Sequence, residues 1–258
     1  MCTINHDKKA IFINIPKTGR TYISENLVKY YGFTEYLDGD YEDEYTLEQI
    51  ENETFDINKI NSKKTFFNKD IGIINYFKNS KYLNKKINLN DDKWKDYFKF
   101  CFVRNPYDRV VSGYEYVIAK SMQKAEIFKS KRSSLQITPL PFEQFLNQNK
   151  TSFNDFNYIH VFRNQTFQII DENNNIFVDY IAKYENIEDD FRYILKKIGF
   201  SDDEIEHETE PLNVTNHEHF KYYYENNNIL NIINNLYNED FDNFNYIKYD
   251  NYTDMVNL

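Results

Sequence analysis

The chain has 258 residues and a formal net charge of −10, from 31 Lys and Arg residues against 41 Asp and Glu residues. This length fits one large domain or two small ones, and a globally acidic chain argues against non-specific nucleic-acid binding while leaving room for one local basic pocket. Aromatic residues make up 18% of the sequence, a fraction that supports a sizeable core and argues against disorder.

Cysteine usage and hydropathy narrow the class of protein further. The two cysteines, Cys2 and Cys101, exclude a disulfide framework and a four-cysteine zinc site. No apolar run reaches the roughly 18 residues of a transmembrane helix, and the polar, charged stretch 1–10 is unlike a signal peptide. We therefore expect no membrane span and a reducing, cytoplasmic location.

The first predicted unit is a strand, a tight turn and a helix. Residues 11–15 are short, apolar and mostly β-branched, as in a buried strand. Pro16 ends this strand, a polar turn follows at 17–21, and apolar residues at helical spacing run from Tyr22 to a closing Gly32. This order is the β-α half of a parallel α/β unit.

Two further strands are predicted, each followed by a helix. The apolar run 97–103 stops before Pro106, which fits the first position of a helix through Ala119. Residues 178–184 form the third strand. Asn186 with Asp189 then resembles a capping box, which predicts the start of the next helix.

The remaining segments add helices around this framework. Residues 34–62 are acidic and poorly periodic, and we interpret most of them as an insertion. Residues 222–237 are mostly helical in pattern. With no internal repeat and no Gly/Ser linker, the sequence predicts one α/β domain that covers residues 1–258, with helical decoration.

The first candidate site is the polar turn, termed the first motif (residues 16–21). Backbone N–H groups at a helix start and the helix dipole favour an anion. Lys17 adds a full charge, and the hydroxyls of Thr18 and Thr21 add donors. The glycine-lysine spacing of the common nucleotide-binding loop is absent, so the motif is either an anion site or an ordinary polar turn.

The second candidate site, termed the second motif (residues 103–112), follows the next strand. Arg104 leaves the carboxyl end of that strand, where open α/β sheets bind ligands, and Ser112 lies eight residues later on the helix. A guanidinium fork and a hydroxyl can hold a phosphate. Alternatively, Arg104 or Arg109 pairs with a local carboxylate such as Asp108.

Together the two motifs resemble those of the sulfotransferase superfamily, and more closely its carbohydrate branch, which includes heparan sulfate 2-O-sulfotransferase and chondroitin sulfotransferases. Residues 11–21 are similar to the 5′-phosphosulfate loop and residues 98–114 to the 3′-phosphate motif. The resemblance spans about residues 10–247. Weaker matches follow in family order at 164–166, 178–186 and 237–246.

The resemblance implies a P-loop-like, three-layer domain with a central parallel sheet that binds 3′-phosphoadenosine 5′-phosphosulfate (PAPS) and needs no metal. It places Lys17 against the oxygen that bridges phosphate and sulfate, where charge grows as the bond breaks. Arg104 and Ser112 would hold the 3′-phosphate, and a carbohydrate hydroxyl would be the acceptor. The 5′-phosphate would lie on the backbone of Thr18, Gly19, Arg20, Thr21 and Tyr22.

This chain departs from the family pattern in two ways. Arg20 stands where the family has a small residue, and it is a candidate ligand contact. The family's histidine base is missing from the matching stretch 66–72. Asp70 is the nearest group able to take a proton, although a helix-start carboxylate is its commoner role. His160, close to the match at 164–166, is the rival catalytic base.

Two alternatives to a sulfotransferase remain on sequence grounds. A kinase of the P-loop type is disfavoured because no Walker-type lysine motif or clear magnesium carboxylate follows a strand. A nucleotide-binding module of the same fold that has lost catalysis is consistent with the missing histidine. Transfer of sulfate to an acceptor separates this module from the enzyme.

Overall fold

One five-stranded sheet organises the part of the chain that the computed structural model describes, residues 2–36, 94–129, 140–148, 161–171, 174–205 and 218–256. The strands lie in the order β3-β1-β2-β4-β5. Their bounds are β1 (Cys2–Asn5), β2 (Ala10–Ile13), β3 (Thr34–Tyr36), β4 (Phe98–Val103) and β5 (Tyr180–Lys183).

The predicted parallel core is confirmed. Strand β2 pairs with β4 in parallel, and β4 pairs with β5 in parallel, with Ile13 beside Cys101 and Val103 beside Lys183. The carboxyl ends of these three strands therefore meet at one edge of the sheet. The α/β class follows from this core and from the helices that flank it.

Strands β1 and β3 were not predicted. Strand β1 pairs antiparallel with both β2 and β3, and its polar residues are satisfied by distant groups. The Thr3 hydroxyl bonds Ser24 at 3.3 Å, and the Asn5 amide donates to the Tyr31 carbonyl at 2.7 Å. Strand β3 occupies the first three residues of the segment 34–62, most of which was interpreted as an insertion, and the remainder of that segment lies outside the described residues.

Helices follow the strands as α1 (Arg20–Tyr30), α2 (Pro106–Lys129), α3 (Phe142–Gln148), α4 (Ile187–Lys197), α5 (Asp202–Ile205), α6 (Asn227–Leu236), α7 (Asn238–Phe244) and α8 (Tyr252–Val256), with short 3-10 turns at Thr166–Gln168, Tyr184–Asn186 and Phe220–Tyr223. Among these helices, none is long and apolar enough to span a membrane.

The structure divides the predicted helix 222–237 between the 3-10 turn at Phe220–Tyr223 and α6.

The predicted capping box at Asn186 is wrong. Asn186 precedes α4, but its side chain makes no capping hydrogen bond. A 3-10 turn separates β5 from the helix, and Asp190 reaches back across it. The Asp190 carboxylate accepts the Lys183 N–H at 2.6 Å and the Tyr180 hydroxyl at 3.1 Å, so a helix carboxylate bonds to the end of the strand.

The core occupies both faces of the sheet, because alternate strand residues point to opposite sides. On one face, Phe12, Phe100 and Phe102 pack with apolar residues of α1 and α4. On the other face, Ile13 and Cys101 pack with Trp94, Ile169 and Phe244. A third cluster joins α2, α3 and α6, and it fixes α2 beside the carboxyl edge.

Candidate active site

The first motif forms a tight loop at the carboxyl end of β2. Gly19 has φ +79°, and a Cβ there would lie 2.7 Å from Ile187 Cδ1 and 3.0 Å from the Tyr184 ring. Lys17 also adopts a left-handed φ of 71°. Glycine is therefore required at position 19 by conformation and by the neighbouring side chains, and the loop leads directly into the N-terminus of α1.

The other residues of this loop differ in exposure. Thr18 is fully buried, and its hydroxyl donates to the Ile15 carbonyl at 3.0 Å, so this donor is committed to the loop itself. Tyr22 packs edge-on against Phe191 in the core. Thr21 is exposed, and Arg20 is half-buried in the first turn of α1.

The second motif meets the first through Arg104. This arginine is 7% exposed at the end of β4. Its Nε donates to Asp108 at 2.7 Å, so the local ion pair that the sequence offered as the alternative to a phosphate contact is present. Its Nη1 donates to the Lys17 carbonyl at 3.2 Å. Tyr184 covers the guanidinium face at 4.2 Å. Nη2 has no bonded partner within the described ranges, so a donor remains for a ligand.

One face of α2 collects the remaining parts of the site. Asp108, Ser112 and Tyr116 recur every four residues and therefore share that face. Arg104 bonds the first of them, and the Lys17 ammonium lies 4.3 Å from the ring centroid of the last. Ser112, which is 2% exposed, is the middle residue of the three. The structure thus joins Lys17 and Arg104 by a hydrogen bond and places Ser112 on the helix face that contacts both.

The site carries concentrated positive charge within an acidic chain. The pKa of Lys17 is lowered from 10.5 to about 8, chiefly because burial disfavours the ammonium, and then because Arg104 and Arg109 repel it. An anion bound here would relieve both the desolvation and the repulsion. The arrangement therefore suits a polyanionic ligand.

Arg109 and Gln165 also contact the two motifs, although neither was predicted from the sequence as a site residue. Arg109 is fully buried and donates to the carbonyls of Pro16 at 3.1 Å and Arg163 at 2.8 Å. Gln165 is also fully buried and bonds the backbone of Arg104. The signal in the sequence that could have identified Gln165 was the pair of weak family matches at 164–166 and 237–246. The structure brings these two segments together, because the Asp240 carboxylate accepts the Gln165 N–H.

Neither candidate base can be located. Asp70 and His160 both lie outside the described residues. Within the described ranges, no group of three His, Cys, Asp or Glu residues is arranged to hold a metal ion. The described part of the site therefore consists of cations, hydroxyls and helix-start N–H groups, which can bind a phosphate or sulfate ester and stabilise charge that develops on it.

Comparisons with known proteins found similar sequences. A family model described as the sulfotransferase family matches residues 1–247. An uncharacterized protein of Archaeoglobus fulgidus is 31% identical over 109 residues, which are 42% of this chain and 72% of that protein. No solved structure matches the chain.

Proposed function

Because the chain belongs to the sulfotransferase family, we propose that it transfers a sulfuryl group from PAPS to a hydroxyl of a carbohydrate acceptor. The observation that carries this proposal is the hydrogen bond from Arg104 to the Lys17 carbonyl. It joins two motifs that lie 87 positions apart and that resemble the two halves of one donor site.

The cations of the site fit the charges of PAPS. The donor has a 5′-phosphosulfate and a 3′-phosphate, and the two motifs offer one cation to each. The Nη2 of Arg104, which has no hydrogen-bond partner among the described residues, and the hydroxyl of Ser112 would hold the 3′-phosphate. The first motif would hold the 5′-phosphate as in P-loop-like folds, through N–H groups at the start of α1. Burial is the main cause of the lowered pKa of Lys17, but Arg104 and Arg109 also contribute, which supports this assignment because these cations lie close enough together to act on one bound anion.

The chemistry asks two things of the protein. The bound donor supplies the sulfuryl group: sulfur bonds to the acceptor oxygen as its bond to the bridging oxygen breaks. Lys17 stabilises the charge that grows on that bridging oxygen. A base, Asp70 or His160, accepts the proton from the acceptor hydroxyl, because glycan hydroxyls ionise too weakly near neutral pH. Atoms and charge then balance in the bisphosphate product and the sulfate ester.

The carbohydrate acceptor rests on the resemblance to the carbohydrate branch. Family membership supports a hydroxyl-bearing acceptor in general, and a panel of acceptors can separate glycans from phenols. One transfer experiment can therefore test both assignments, with different donors in one set of reactions and different acceptors in another.

Transfer of radiolabelled sulfate from PAPS tests the proposal. We expect label in a glycan from a panel of sulfated and unsulfated polysaccharides, and none in the Lys17→Ala variant. Lys8→Ala is the matched control, because the Lys8 ammonium bonds the Gly199 carbonyl away from the two motifs. Label transferred from ATP with magnesium would instead identify a kinase. Tight binding of PAPS without transfer to any glycan, phenol or water would identify an inactive nucleotide-binding module.

A further inference from the structure

The buried arginine Arg109 holds the loop that carries Lys17. It lies on α2, five residues after Arg104. Its Nε donates to the Pro16 carbonyl at 3.1 Å, while Arg104 donates to the next carbonyl, that of Lys17, at 3.2 Å. Two guanidiniums of the second motif thus bond consecutive carbonyls of the first motif.

The backbone between these carbonyls is in a costly conformation. Lys17 has φ 71°, a left-handed value that is unfavourable for a residue other than glycine. Such a conformation persists when its surroundings fix it. The peptide groups on both sides of the Lys17 Cα are fixed here by the two arginines.

Arg109 is itself fixed on its other side. Its Nη1 donates to the Arg163 carbonyl at 2.8 Å, and its guanidinium lies 5.7 Å from the ring centroid of Tyr237. A planar guanidinium can donate in two fixed directions at once, which a lysine ammonium at the same place cannot reproduce. Arg109 therefore connects the loop of Lys17 to the segment that carries Gln165.

We propose that Arg109 is a positioning residue for Lys17. The Arg109 guanidinium holds the Pro16 carbonyl and so directs the Lys17 ammonium toward the oxygen that bridges phosphate and sulfate in the donor. This inference rests on the proposed sulfotransferase activity and adds a residue to it. Arg109 itself contacts neither donor nor acceptor in this scheme. Its effect passes through the backbone of residues 16 and 17.

The charge of Arg109 gives the proposal a second readout. Arg109 is one of the causes that lower the pKa of Lys17, with burial and Arg104 acting more strongly. In the part of the chain that the structure describes, the groups that act on or contact Lys17 are Arg104 at the end of β4, together with Arg109 and the Tyr116 ring on α2. Asp108 pairs with Arg104, and the buried Asp240 interacts with Arg109. A neutral residue at position 109 therefore raises the pKa of Lys17.

Two variants separate position from charge. Arg109→Lys keeps the charge and loses the two-directional bonding, whereas Arg109→Gln loses both. The control is Arg163→Gln, which removes another buried guanidinium that is not among the groups acting on the pKa of Lys17. Sulfate transfer is measured on folded protein, and Lys17 is titrated by NMR of ¹³C-labelled lysine, with its resonance assigned from a Lys17→Gln variant.

We expect Arg109→Lys to lose about ten- to hundred-fold in turnover, because a misplacement of about 1 Å can cost about 10²-fold. We expect the same variant to keep the Lys17 midpoint near pH 8. Arg109→Gln is expected to lose at least as much turnover and to move the midpoint to higher pH, while Arg163→Gln leaves it in place. Wild-type turnover in folded Arg109→Lys, or an unmoved midpoint in folded Arg109→Gln, would overturn the proposal. Since the titration needs no activity, a protein that shows these midpoint shifts but no transfer refutes the proposed function and leaves only the electrostatic effect of Arg109 on the pKa of Lys17.

Discussion

Gln165 bonds both backbone groups of Arg104. Its Oε1 accepts the Arg104 N–H at 2.8 Å, and its Nε2 donates to the Arg104 carbonyl at 2.9 Å. The Gln165 side-chain amide thus makes the two hydrogen bonds that the backbone of a neighbouring strand would otherwise make at the end of β4. Because Asp240 accepts in turn from the Gln165 backbone at 2.8 Å, helix α7 helps to place an arginine that lies far away in sequence.

Asp240→Asn should lower the stability of the protein. The buried carboxylate accepts the N–H groups of Gln165 and Thr166 at 2.8 Å to 2.9 Å. An asparagine amide places a donor against one of them, and a hydrogen bond to a charged group is worth about 1.5–3 kcal/mol. We expect urea denaturation to show about 2 kcal/mol less unfolding free energy. Asp242→Asn, an exposed change on the same helix, is the control, and an equal loss there would contradict the assignment.

Lys17→Ala should abolish transfer and leave the fold intact. Since the ammonium acts on charge that develops in the transition state, the loss is expected mainly in turnover, with a smaller change in donor KM. Steady-state kinetics with PAPS measure both constants. An unchanged turnover number would remove Lys17 from the mechanism.

The pH dependence of donor use should report the titration of Lys17. Its pKa lies below the ordinary 10.5, at about 8, so in the free protein the ammonium is present below pH 8 and is lost as the pH rises through that value. Because a polyanionic donor favours the charged form, kcat/KM for PAPS is expected to fall as the pH rises above about 8. Lys17→Arg stays charged, so its residual activity should lack this limb; the same limb in that variant would assign it to another group.

Arg104→Ala should weaken PAPS and the bisphosphate product together. A charge-assisted contact is worth roughly 1.5–3 kcal/mol, which corresponds to about ten- to hundred-fold in affinity. Adenosine 5′-phosphosulfate, which lacks the 3′-phosphate, should bind wild type poorly and be nearly insensitive to the change. Calorimetric titration with both nucleotides measures this difference, and equal sensitivity of the two would refute the 3′-phosphate role.

A double variant refines this test. Arg104→Ala leaves the Asp108 carboxylate without its ion-pair partner, and an unpaired carboxylate repels a phosphate. The double variant Arg104→Ala/Asp108→Asn removes this repulsion. We expect it to recover part of the lost PAPS affinity, and the part that stays lost measures the direct contact of Arg104.

The catalytic base should be Asp70 or His160. A positioned base supplies about 10² to 10⁴ in rate, so one of Asp70→Asn and His160→Ala is expected to lose at least about 10²-fold in turnover with little change in donor affinity. The lower limb of the pH profile identifies the base: near pH 6 to 7 for histidine, and well below that for aspartate unless burial raises its pKa. Near-wild-type turnover in both variants would place the base elsewhere or indicate a more acidic, phenolic acceptor.

Local patterns in the sequence determined the parallel core and the two motifs. The apolar runs before Pro16 and Arg104 predict strands that end at one edge, and the order of strand, loop and helix puts N–H groups and cations beside each other there. These signals lie within short stretches of chain, so they are readable without tertiary contacts. The parallel strands β2, β4 and β5 follow this prediction closely.

Strand β1 and the role of Arg109 depend on tertiary contacts, so local sequence patterns do not predict them. Strand β1 is buried despite Thr3 and Asn5 because Ser24 and Tyr31 satisfy their polar groups, so hydrophobic periodicity does not reveal it. Likewise, the sequence shows Arg109 only as a charged residue of a predicted helix. Its role depends on the carbonyls of Pro16 and Arg163, which only the tertiary structure places beside it. A buried polar group is stable only with its partners in place, and those partners come from distant parts of the chain.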